Sequence, residues 1–318
     1  MIAIWSFLLL IFVSQTSTRQ LHCKFSFESK FGYTCRVTNN FTATHQYVNI
    51  TEIVGDHLHE GDKFHRNDLD VYRVTFYNLN LTYLPASITS HFTNLRTLQV
   101  KQCGLRALTR SSDIFTLRRL YLGFNEIKNI PKTYFWNFCR LEILSLAYNQ
   151  ISSIHWMAFR DLINLKRLSF NSNRLNSIDE RLFVKCVNME VVDLDNNHLK
   201  SLHSDLFASL VRLKKLFIQN NQLTSIESQF LDAFPSILKV SLNNNPCIDF
   251  KFPENGNLER MKSVIDKYCI TPEETSTFAP RTTTTMRRKK PKYKTPDIIF
   301  FENCTWHIHK NFSHMYHW

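Results

Sequence analysis

Histidine and cysteine are the residues of this chain whose chemistry spacing would reveal most readily. His57, His59 and His65 lie around Glu60, but a helical zinc-protease site needs a second histidine four places after the first so that both face one metal, and HEGDKFH does not provide it. In the final residues WHIHKNFSHMYHW, His307, His309, His314 and His317 are dense enough to hold zinc or copper in an ordered segment; neither is expected here. No Ser-His-Asp or Cys-His arrangement has local support. With only six glycines in 318 residues, phosphate-cradling loops have nothing to be built from. The expectation is a protein that is not an enzyme and carries no metal or cofactor.

The remaining chemistry is that of export. Residues 1–18 combine an apolar run from Ile2 to Val13 with small polar residues after it, as a secretory signal does. No later segment approaches the ~18 apolar residues of a membrane helix, so a secreted, extracellular, soluble protein is expected. All eight cysteines lie beyond the signal, in a compartment that permits disulfides. Five glycosylation sequons occur, at Asn40, Asn49, Asn80, Asn303 and Asn311. The net charge of +12 suggests nucleic acid until it is located. Seven of the cations (Arg281, Arg287, Arg288, Lys289, Lys290, Lys292 and Lys294) fall in one short stretch, so no nucleic-acid partner is expected.

The elements that must position any site are set by a repeat. LEILSLAYNQI from Leu141, LKRLSFNSNRL from Leu165, MEVVDLDNNHL from Met189 and LKKLFIQNNQL from Leu213 each start 24 residues after the last. The frame runs back through Leu117 and Leu95 to Val71 and forward to Ile237, giving eight units, with one spacing of 22. Alternation such as Leu144-Ser145-Leu146 makes a short strand with one face inward. Leu or Ile at the eleventh and fourteenth places, with Phe159, Phe183, Phe207 and Phe230, completes each coil.

The pattern resembles the leucine-rich-repeat family, L-x-x-L-x-L-x-x-N/C-x-L. The fold class this implies is α/β: a horseshoe solenoid with a parallel concave sheet, about eight repeats and disulfide-capped ends. The ninth place holds Asn125, Asn149, Asn173, Asn197, Asn221 and Asn245, whose amides can satisfy backbone groups of neighbouring coils. Cys103 takes that place as a buried thiol, and Leu79 makes the first unit atypical.

Both ends of a solenoid need covering. Cys23 and Cys35 bracket a hairpin-like segment and are expected to pair. Cys247 and Cys269, with a helix expected over Leu258–Lys267, resemble the C-terminal cap of extracellular members, with two cysteines in place of the usual four. Cys139 and Cys186 lie two coils apart, about 10 Å at the ~4.8 Å strand spacing, beyond the ~7 Å limit for a bridge. For Cys304 three alternatives stay open: a disulfide-linked dimer, pairing with Cys139, or a free thiol. The domains expected are a signal peptide (1–18), an N-terminal cap (19–70), repeats (71–246), a C-terminal cap (247–269), a Thr/Pro/basic linker (270–297) and a C-terminal tail (298–318).

Side chains between the inward leucines point outward from the sheet. Third places give Arg73, Arg119, Arg167, Lys215 and Lys239; the fifth, seventh and eighth give Tyr77, Tyr121, Phe124 and Tyr148, then Asp193 and Asp195 beside Phe217. Aromatics on a rigid face are common interface anchors, with charges setting specificity. The expected ligand-binding set is Arg119, Tyr121, Phe124, Tyr148, Arg167, Asp193, Asp195 and Phe217. The N-terminal cysteines, the Gly55–Gly61 segment and the start of the repeats near Asp70-Val71 resemble small secreted leucine-rich-repeat proteins of insects. That likeness implies recognition of an extracellular protein or glycoconjugate, in innate immunity or cell adhesion. The alternative is an extracellular-matrix structural protein that binds polyanions through its basic tail.

Overall fold

A computed structural model of the protein describes residues 19–28, 32–38, 42–43, 50–55, 67–85, 88–107, 116–227, 230–249 and 258–269. The expected signal peptide, the histidines near Glu60 and in the tail, the basic linker, Cys304, and the sequons at Asn40, Asn49, Asn303 and Asn311 lie outside them. Asn80 is described and exposed. Strands fall at all eight repeat starts and make a parallel-sheet solenoid of about seven turns. Two units divide the chain: the first runs to Ile114 and includes Leu122–Ile127, and the second comprises Phe115–Tyr121 and the chain from Lys128.

In the first unit, β1 (Arg19–Glu28) and β2 (Gly32–Val37) form an antiparallel hairpin with Phe25 opposite Cys35. Alternation sends Leu21, Cys23, Phe25, Tyr33, Cys35 and Val37 inward, and the expected Cys23–Cys35 disulfide is present. The hairpin extends the repeat sheet instead of capping it from outside. β1 lies parallel to β3 (Ile50–Val54), and β2 lies parallel to β4 (Val71–Tyr77), which pairs with β5 (Thr97–Lys101). Gly55 makes this approach possible, because a Cβ there would stand 2.4 Å from the Cys23 carbonyl oxygen. Cys103 is buried with its thiol on the Lys101 carbonyl, and burial pushes its pKa up, away from the thiolate that a nucleophile needs.

The second unit contains β6 (Arg119–Tyr121), β7 (Ile143–Ser145), β8 (Arg167–Ser169), β9 (Val191–Asp193), β10 (Lys215–Phe217) and β11 (Lys239–Ser241), parallel and in that order. The register advances by one repeat per strand, so Leu120, Leu144, Leu168, Val192, Leu216 and Val240 form one inward row, all buried. Opposite the sheet, Phe159, Phe183 and Phe207 are fully buried, with successive ring centroids 6.2 Å apart, and Phe230 follows at 5.6 Å. Turns and short 3-10 segments such as Ser204–Phe207 make the return path of each coil.

Asparagine ties coil to coil. Asn197 donates to the carbonyls of Phe170 (3.0 Å), Leu194 (3.1 Å) and Asp195 (3.1 Å) and accepts from the Leu175 N–H (3.0 Å); Asn173 and Asn221 repeat the arrangement. Groups left orphaned where each three-residue strand stops are thereby satisfied.

At the C-terminal end α1 (Leu258–Tyr268) runs one residue past the expected helix. Met261 and Ile265, one turn apart, are buried, and Cys269 is joined to Cys247 as expected. The Cys269 carbonyl also accepts from the Ile226 N–H at 2.9 Å, which fixes the cap to its coil. Cys186 is a free, buried thiol pushed up to about 12 by burial, so it does not pair with Cys139, which is itself disulfide-bonded.

Candidate functional site

Strand register lays the outward side chains of the second unit in columns. The third-place column reads Arg119, Ile143, Arg167, Val191, Lys215, Lys239, and the fifth-place column reads Tyr121, Ser145, Ser169, Asp193, Phe217, Ser241. Seven of the eight expected binding residues therefore belong to this unit. Phe124 belongs to the first, where it is exposed with the Lys101 ammonium 4.5 Å from its ring centroid. In that unit Tyr77 is exposed, while Arg73 is held by Glu28 at 3.7 Å and by Gln99.

Tyr148 is 49% exposed. Its backbone is left-handed, φ 55°, as is Phe124 at 59°. The same conformation recurs at the eighth place of every unit, at Asn78, Gln102, Ser172, Asn196, Asn220 and Asn244. Asparagine tolerates this region, whereas a bulky side chain there is strained by roughly 1–2 kcal/mol. Sequence reading missed the turn, although asparagine at four of the eight places signalled it.

Asp195 departs from expectation. It is only 6% exposed and does not project into solvent. Its carboxylate accepts from the Gln219 backbone N–H at 3.0 Å and from the Gln219 side-chain amide. Alternation gives the direction of the seventh-place side chain; the next coil covers it. Asp193 remains part-exposed, accepting from the Ser169 hydroxyl at 3.1 Å and the Asp195 N–H at 3.1 Å. Phe217 carries the Lys239 ammonium 5.7 Å from its ring centroid.

Burial, reinforced by Asp193, raises Asp195 from 3.8 to about 7; burial also raises Asp193. A group whose folded pKa is raised binds its proton more tightly when folded, so it favours the native state at low pH and loses that contribution as pH rises from about 4 through about 7. Thermal stability is therefore expected to fall across that window and then level, and Asp195→Asn to flatten the fall. Melting curves from pH 4 to 8.5 decide this; parallel profiles for the two proteins would contradict it.

Paired carboxylates with one near neutrality can serve acid–base chemistry. Here Gln219 occupies the buried member, and among the described residues no group of three His, Cys, Asp or Glu could hold a metal. A cavity between Ile178, Glu180, Leu199 and His203 holds about 110 Å³, less than the roughly 300 Å³ at which small-molecule sites begin. What the sheet offers is an open face with exposed aromatic and charged side chains, suited to a macromolecule.

Residues 115–175, 139–199 and 187–246 match the leucine rich repeat family model. Among solved structures, the TLR13–ssRNA13 complex is similar at 28% identity and a TM-score of 0.52, over 55% of this chain and 25% of that one. A leucine-rich-repeat protein of Leptospira interrogans is similar at 26% identity and a TM-score of 0.51, over 56% and 44%. The LRIM1/APL1C complex gives a TM-score of 0.55 at 18% identity, over 72% and 47%, and so speaks for the fold alone. The chain spans less than half of each of these neighbours. No curated protein matches the sequence.

Proposed function

Because this chain carries leucine-rich repeats over residues 115–246, we propose that it is a secreted, non-catalytic recognition protein that docks an extracellular protein or glycoconjugate on the outward sheet face of its second unit. Repeats of this kind generally serve as binding scaffolds, and two paired disulfides suit an oxidising compartment. Among the described residues no helix is long and apolar enough to cross a membrane. The similar structures include the TLR13–ssRNA13 complex and the Toll–Spatzle complex, a molecular hub in Drosophila development and innate immunity; an innate-immunity role is part of this reading, together with the likeness to small secreted insect proteins. Glycosylation at the sequons belongs to the same reading.

One observation carries the proposal. Tyr148 is a large aromatic, exposed, at a left-handed backbone position that four of the other coils fill with asparagine. Backbone strain retained beneath a half-exposed ring is in keeping with a role for the ring. Tyr121 and Phe217 flank the same face in the fifth-place column, with Asp193 between them.

The test is affinity capture with the full mature chain, followed by measurement of the identified partner against variants. Tyr121→Ala, Tyr148→Ala, Phe217→Ala and Asp193→Ala should include at least one loss of about 2 kcal/mol or more, the level of an interface hot spot. Deletion of residues 281–294 should leave binding intact; loss on that deletion alone would favour polyanion binding through the basic tail. Unchanged affinity in all four point variants would reject this face.

A further inference from the structure

Two charged columns run side by side across the second unit, and only one is neutralised. At the second place Glu142 holds both Arg118 (3.0 Å) and Lys166 (3.2 Å), and Glu190 holds Lys214 (3.1 Å). Every acid of that column answers a base on an adjoining coil. One place along, Arg119, Arg167 and Lys215 form no ion pair or side-chain hydrogen bond among the described residues; Arg167 and Lys215 are exposed and Arg119 partly so. Of the nearby carboxylates, Asp193 is engaged by Ser169 and the Asp195 N–H, Asp195 by Gln219, and Glu190, bonded to Lys214, also feels the charge of Arg167. The third-place column is therefore a line of positive charge without an acid of its own, balanced in part only at Arg167 by Glu190 of the neighbouring column.

Its spacing is regular. Arg119 and Arg167 each pair with Ile143 across the strands, and Arg167 and Lys215 each pair with Val191. From Arg119 to Lys215 successive cations are thus two strands apart, about 9.6 Å at ~4.8 Å per strand, with a part-exposed apolar side chain midway; Lys239, one strand beyond Lys215, lies instead over the Phe217 ring. A polyproline II chain has three residues per turn and rises about 3.1 Å per residue, so every third side chain returns to the same side after about 9.3 Å. Its stiff backbone also meets little entropic penalty on docking, and aromatic-lined surfaces are its usual receptors; Tyr121 and Phe217 stand in the neighbouring column.

We infer that the column Arg119–Arg167–Lys215 is a docking strip for an acidic peptide in polyproline II conformation with a carboxylate at every third residue. The inference rests on the sheet face being a recognition surface and names the chemistry of its partner. Complementary charge sets the register, while Ile143 and Val191 meet the apolar residues between the acids. A uniformly charged polysaccharide would set charge against those two side chains. A single-stranded nucleic acid would call for stacking platforms where this column has aliphatics.

The experiment uses the full mature chain and a fluorescent (Glu-Pro-Pro)5 peptide at 0.15 M salt. Binding should exceed that of a peptide of the same composition with its glutamates contiguous. The triple variant Arg119→Gln, Arg167→Gln, Lys215→Gln should weaken it about tenfold or more, with a little-changed melting temperature because these side chains make no ion pair or side-chain hydrogen bond among the described residues. A triple Glu variant should in turn take up (Lys-Pro-Pro)5. Equal affinity for the two acidic peptides, or an unaffected triple variant, would overturn the inference. So would a heparin oligosaccharide or oligo(dT) that binds and loses its affinity in the triple variant while (Glu-Pro-Pro)5 does not. Should the peptide fail while Tyr148→Ala still releases the captured partner, the strip is rejected and the recognition face stands; failure of both rejects the face.

Discussion

Asn197→Leu is expected to destabilise the second unit by about 4 kcal/mol or more, enough to consume much of the 5–15 kcal/mol that typical domains possess. Leucine preserves volume and adds apolar surface, so a purely hydrophobic account of the coil would predict little change. The amide, however, is only 4% exposed and makes four hydrogen bonds, three as donor to carbonyls of two adjoining coils and one as acceptor from the Leu175 N–H. Removing it leaves those groups buried without partners, at about 1–3 kcal/mol each. The neighbouring substitution Asn196→Gly supplies the contrast: that residue is exposed at φ 53°, a conformation glycine adopts freely, and stability should shift by less than about 1 kcal/mol. Urea unfolding monitored by circular dichroism measures both. A leucine variant as stable as the parent would mean that the asparagine column does not hold the coils together.

Phe183→Ala should lower stability by about 3–5 kcal/mol, the range for deleting a buried aromatic from a packed core. Phe183 has no exposed surface and packs between Phe159, on which it stacks, and Phe207, to which it is tilted, at 6.2 Å on either side. Because each coil packs mainly on its neighbours, the void weakens two interfaces together and the unit has no second core layer to close it. Phe183→Leu, which keeps most of the volume, should recover more than half of the loss. Equal destabilisation by both would place the effect in ring stacking instead of in the cavity.

The coils were legible in the sequence because their causes are periodic. An inward leucine row, a ninth-place asparagine and a return-side phenylalanine each recur at about 24 residues, and a repeat fixes register once its period is known. The hairpin Cys23–Cys35 and the helix before Cys269 were readable from alternation and cysteine position. Less legible was whatever depends on one coil lying over another. Asp195 carries the pattern of an outward residue, yet Gln219 of the next coil covers it. The left-handed turn at the eighth place hid behind side chains as different as Phe124, Tyr148 and Asn220. The neutralised column Arg118–Glu142–Lys166 and Glu190–Lys214 was written in alternating charge at repeat spacing; its meaning lay in the contrast with the uncompensated column beside it, which only the contacts reveal.

The most direct measurement of the central claim is a hydrogen–deuterium exchange footprint of the full mature chain with its captured partner bound. Protection should concentrate on the strands and strand ends from Arg119 to Ser241 that display Tyr121, Tyr148 and Asp193, leaving the return segments around Val187 and Val211, whose apolar side chains are also exposed, exchanging as in the free protein. Protection confined to those return segments, with the sheet edge residues unchanged, would contradict the account.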